Sequence, residues 1–92
     1  MATNAVAIDN STGTNAVTIG GFVNNTGTIT AYDLAVSSGK MLKTSADNVS
    51  DTHDHSIANA GTLVLTGGDL TNDVANADAN STVEIMAGTG TL

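Results

Sequence analysis

Thr3-Asn4-Ala5-Val6-Ala7-Ile8 recurs eleven residues later as Thr14-Asn15-Ala16-Val17-Thr18-Ile19, with five of six positions identical. Each copy ends in an alternating apolar triplet, the pattern of a strand with one buried and one wet face. A looser pair couples Asn25-Thr26-Gly27-Thr28-Ile29 with Asn59-Ala60-Gly61-Thr62-Leu63, and each is followed by Asp-Leu, at Asp33-Leu34 and Asp69-Leu70. Short β repeats with small residues at their corners predict stacked coils or sheets, each burying one face against the next.

Outward from these repeats the chain keeps the same grammar. Runs rich in Val, Ile and Thr lie at Ala5–Ile8, Ala16–Ile19, Thr28–Val36, Thr62–Thr66 and Thr82–Met86, with a weaker one at Met41–Leu42. Gly20-Gly21, Asn24-Asn25, Ser37-Ser38-Gly39 and Gly67-Gly68 separate them with turn chemistry. Helical spacing is poor. The best stretch is Leu70–Asn80, with Leu70, Val74 and Ala77 suitably placed, and it predicts one short helical turn at most. The predicted class is all-β: a short-stranded sandwich, a barrel, or β-roll or solenoid-like repeats, completed by oligomerisation. Residues 1–92 form a single β-rich domain, with 1–23 as a repeat-containing N-terminal arm.

Composition bounds what such a domain can do. There is one Phe, one Tyr, no Trp and no Cys, so the core is aliphatic and has no disulfide to brace it. At 12% charged and 40% hydrophobic residues, the chain departs from the low-hydrophobicity, high-charge signature of disorder. A chain this short with so light a core is expected to need partners, since burial worth roughly 25 cal/mol per Å² must offset ordering entropy. A closed trimer is the favoured assembly, with Val6, Ile8, Val17, Ile19, Phe22 and Val23 as its interface. The formal charge is −7, with no Arg, which opposes nucleic acid and anionic lipid as partners. No apolar run approaches the ~20 residues of a membrane span. Met1-Ala2-Thr3-Asn4 lacks the basic and apolar regions of a secretory signal. A virion protein or a piece cut from a longer secreted chain both fit.

Chemistry-bearing motifs are few. Asp51-Thr52-His53-Asp54-His55 is the densest polar stretch. Were it extended, His53 and His55 would point together, with Asp51 in line, and imidazole suits Zn or Fe. Two imidazoles leave such a site incomplete, so the metal would sit on a symmetry axis; the competing reading is a solvated loop. Asp47, Asn48, Asp51 and Asp54, or Asp69, Asn72 and Asp73, offer oxygen ligands for calcium without the EF-hand pattern. No Gly-x-Ser-x-Gly, Walker loop or dinucleotide fingerprint occurs, and two aromatics are few for the walls of a sugar cleft. The chain is therefore expected to be non-enzymatic. Lys40 and Lys43 flank Met41-Leu42, where they either guard a strand edge or pair with acidic residues of a neighbour. The sequons at Asn10, Asn24, Asn48 and Asn80 read as composition.

Asn4–Ile8 and Asn15–Gly20 resemble the Asn-Ala-Val-Ala-Ile-Gly head repeats of trimeric autotransporter adhesins, although Asp9 stands where the first copy needs Gly. Gly61–Gly68 looks like autotransporter passenger repeats. The Thr-, Gly-, Asn- and Ala-rich, acidic, Cys-free remainder resembles bacteriophage fibre and capsid-decoration proteins. Those likenesses imply a virion-surface protein that stabilises or displays on a particle such as a capsid, or else a bacterial cell-surface, extracellular adhesin fragment. The likeness to phage fibres also implies iron held by His-x-His at a trimer axis. A small metal-binding β module is the third expectation.

Overall fold

Alternation over only three or four residues gives each strand two inward side chains, enough to line one wall of a narrow coil. In the computed structural model, which describes residues 1–76, 79–86 and the backbone of 90–91, such walls wind into a parallel β-solenoid. The first coil holds β1 (Ala2–Asn4), β2 (Ala7–Asp9) and β3 (Ala16–Ile19). The second holds β4 (Phe22–Asn25), β5 (Thr28–Ala31) and β6 (Asp33–Val36). The third holds β7 (Met41–Thr44), a 3-10 turn at Ala46–Asn48, β8 (Val49–Asp51) and β9 (Ser56–Asn59). The fourth holds β10 (Thr62–Leu65), β11 (Gly68–Asp69) and β12 (Asp73–Asn76); β13 (Thr82–Ile85) and β14 (Gly90–Thr91) begin a fifth.

Every pairing among the described residues is parallel. The first face runs β1-β4-β7-β10-β13, the second β2-β5-β8 and the third β12-β9-β6-β3, while β11 pairs with β14. Register stacks like on like. Val23, Leu42, Leu63 and Val83 form one inward rung of the first face; Ile8, Ile29 and Val49 form one of the second; Val17 pairs with Leu34, and Ile57 with Val74, on the third. Ile29, Leu34, Leu42, Ile57, Leu63 and Leu65 are at most 1% exposed. Burying one such side chain contributes roughly 1.5–3 kcal/mol, so an aliphatic column replaces the missing aromatics.

Of the predicted architectures, the solenoid is the one formed; the described strands all pair parallel and make neither a sandwich nor a barrel. Thr28–Val36, read as one run, turns a corner at Tyr32 and supplies β5 and β6 on different faces. Over Leu70–Asn80 the chain forms β12 at Asp73–Asn76, and Val74 packs on the core as a strand residue; Ala77 lies outside the described residues. Residues 1–23 make the first coil and open the second, and β1, β2 and β3 are hydrogen-bonded in register to β4, β5 and β6. The eleven-residue doublet lies within one coil, its first copy turning from β1 into β2 and its second leading into β3. The structural period is longer: Ala2 pairs with Val23 and Met41 with Thr62. No described helix is long and apolar enough to cross a membrane.

Inward asparagines close the corners. Asn4 donates its Nδ2 to Asn25 Oδ1 (2.9 Å), and Asn25 Nδ2 donates to Thr44 Oγ1 (3.1 Å). Asn59, fully buried, donates its Nδ2 to Asn76 Oδ1 and to the Thr82 carbonyl, and accepts the Gly61 N–H. This is the physical content of the looser repeat: an inward Asn, then a Gly pressed on the preceding chain. A Cβ at Gly27 would strike the Val6 backbone, and one at Gly61 the carbonyls of Ser37 and Lys40.

Candidate functional site

Between the second and third faces the corner varies in length: Asn10–Asn15, then Tyr32 alone, then Thr52–His55, then Leu70–Asn72. The third-coil corner is longer than the one beneath it and drapes over it. Thr52 N–H donates to the Ala31 carbonyl (2.8 Å) and His53 N–H to that of Tyr32 (3.0 Å). His53 thereby lies flat on the Tyr32 ring, with centroids 4.3 Å apart and an 11° tilt. Its Nδ1 sits 3.1 Å from Asp33 Oδ1. Asp54 turns back to accept the Ser56 N–H (3.1 Å), and that bond holds its carboxylate below the usual range. Asp33, His53 and Asp54 offer three donor atoms within 4.8 Å of one another.

Beneath them lies Asp51. It ends β8 at an inward position, paired with the fully buried Ala31, and is itself 1% exposed. Its Oδ2 accepts the Leu34 N–H (2.9 Å), and Asn72 Nδ2 donates to its carbonyl (3.0 Å). Oδ1 accepts from no described donor, and a protonated Asp51 carboxyl hydrogen-bonds to that of Asp54. The Asp51 carboxyl contacts that of Asp54, and burial, more than that contact, pushes it above the ordinary carboxylate range.

The sequence singled out His53 and His55 on the premise of an extended strand. β8 instead stops at Asp51, and the chain turns through Thr52–His55 with His55 at φ +55°. His53 is drawn to Asp33 and Tyr32; His55 is absent from the three-residue group, and its carbonyl accepts the Asp73 N–H. Asp33 and Tyr32 were missed because they come from a neighbouring coil, and no sequence spacing announces that adjacency. Of the calcium candidates, Asp47 caps the Asp69 N–H against Gly68, and Asn72 is engaged with the Asp51 backbone.

The residues expected at an oligomer interface divide in two. Ile19 belongs to the chain's own core, and Ile8, Val17 and Val23 pack against it half-buried. Val6 and Phe22 are exposed, at 66% and 50%, with Lys40 Nζ 5.6 Å above the Phe22 ring. Comparison of the chain with known protein families, with curated proteins and with solved structures returned no match.

Proposed function

We propose that the chain is a non-enzymatic structural segment of a virion surface, a fibre or decoration subunit that acts as one stack in a larger β assembly. One observation carries this reading: the apolar column is sealed in the middle and open at its first coil. Ile29, Leu42 and Ile57 are fully covered, whereas Ile8 and Val17, at equivalent inward positions of the first coil, are only half-buried. β1, β2 and β3 also have one edge each without a described partner strand. Edges and apolar rungs of this kind are covered by another layer in β assemblies. The acidic surface and lack of Arg support a protein partner over nucleic acid. A trimer in which copies cover one another's first coil remains the favoured arrangement.

The second reading, a segment of a bacterial adhesin passenger, draws support from the parallel coil itself and from Gly61–Gly68, which spans a corner, β10 and the start of β11. Sedimentation equilibrium and light scattering test the assembly. A concentration-dependent oligomer whose thermal midpoint rises with concentration is expected. A folded monomer at all micromolar concentrations would remove the support. Immunogold labelling of purified particles against labelling of intact bacterial cells separates the virion from the adhesin.

A further inference from the structure

We propose that copies of this chain also pack side by side, the outer surface of the first face of one copy lying on the outer surface of the third face of the next. This lateral contact presupposes the assembly proposed above and is separate from the open first coil. Strand alternation sends every second residue outward. On the first face the outward rows set Phe22 beside Met41, and Lys43 beside Val64. Phe22 is 50% exposed, and Lys40 Nζ stands 5.6 Å above its ring. Both cations of the chain therefore lie on this side, and neither has an ion-pair partner among the described residues. Glu84 is the one acid in the strands of that face. A molecule of net charge −7 thus keeps one side that is apolar and locally positive.

The third face has the complementary relief and sign. Thr18, Ala35, Ala58 and Ala75 stand in register as one outward row, which makes the surface flat. Asp33 and Asp73 project from the outward row beside it, and the strands of this face carry no Lys. Sheets packed face to face stand about 10 Å apart with interdigitated side chains, so a row of methyl groups leaves room for the projecting Phe22 and Met41. Two acidic copies repel each other in general, and a contact between them has to bring lysines to carboxylates locally. First face on third does this, whereas either face on itself sets like charges together. The molecule measures 34 × 27 × 25 Å, so one whole side is comparable with the ~800 Å² per partner of a standard interface. Because the two surfaces differ, the contact is heterologous, and its repetition generates rings or filaments in place of a two-fold pair; a trimer is the smallest such ring.

The test is sedimentation velocity of the full chain, of Lys43→Glu, of Ala58→Arg, and of an equimolar mixture of the two variants. Both substitutions change outward side chains, and circular dichroism establishes that each variant folds. Lys43→Glu spoils the first face, and Ala58→Arg spoils the third with bulk and charge. Each alone should weaken association at least about tenfold. Mixed, the two should associate with each other, since each supplies the surface that the other lacks. Carbodiimide cross-links between isotopically distinct wild-type copies should join Lys40 or Lys43 to Asp33 or Asp73. Association undiminished in both folded variants overturns the lateral contact and leaves assembly through the first coil standing. A mixture that associates no more tightly than its components also overturns it. A wild type that stays monomeric at all micromolar concentrations overturns the contact and the assembly together.

Discussion

Asp51 and Asn59 are both inward polar residues at strand ends, and their opposite circumstances set two predictions. Asn59 uses its whole amide, on Asn76, Thr82 and Gly61. Asn59→Ala strands a buried N–H and a carbonyl, and should cost about 1–3 kcal/mol in urea denaturation. Asp51 has only the neighbouring Asp54 carboxyl beside its second oxygen, and burial, then that neighbour, raises its carboxyl above the value of the unfolded chain. The folded state therefore holds that proton more tightly. The stabilisation this gives is present below the unfolded value and is lost as pH rises through the higher folded one. Asp51→Asn keeps an acceptor for the Leu34 N–H and turns an amide donor toward Asp54. The variant should melt higher than wild type at neutral pH, and the advantage should shrink on acidification. Equal melting temperatures of the two proteins at neutral pH would contradict this. The sequence exposed Asp51 and His53 as a dense stretch but not their surroundings, because the partners Leu34 and Asp33 arrive from the coil beneath.

Among the elements, the corners carry the specificity. The repeated Asn-x-Gly-Thr was legible, and its meaning was not: one copy turns from the first face to the second, the other from the third to the first. What they share is a Gly with no room for a side chain. Gly27→Ala and Gly61→Ala should each destabilise by about 1–3 kcal/mol through displaced backbone, read as a shifted urea midpoint. Gly20 and Gly21, which have open space around them, should tolerate Ala. β3, β7, β10 and β13 were visible as Val, Ile, Leu or Thr runs. β4, β8 and β9 were obscured because Asn25, Asp51 and Asn59, residues that ordinarily signal turns, occupy their inward ends.

Across the whole molecule, the coil period was illegible for a related reason. Inward positions accept any aliphatic side chain, as in Ile8, Ile29 and Val49, so successive coils share a pattern without sharing letters. Unequal corners then blur the spacing. Stability in such a stack is close to a sum of coil and nearest-neighbour terms. Ile57→Ala, in a sealed coil, should cost about 2–5 kcal/mol, and Ile8→Ala in the open first coil distinctly less. Amide hydrogen exchange should be slowest in β6, β7, β9 and β10 and fastest in β1 and β2 of an isolated chain. Protection of β1 and β2 that rises with protein concentration would locate the contact between copies at that end.

The uneven corner between the second and third faces has a consequence for how this sequence can change. One residue suffices to turn it at Tyr32, and six are accommodated at Asn10–Asn15, while the strands on either side keep their pairing. Insertions and deletions at that seam leave the ladder intact, so the seam can diversify while the stack is conserved. A foreign epitope spliced between Ser11 and Thr14 would be presented on a rigid support, and a lineage of such chains would record its history as length polymorphism along a single edge.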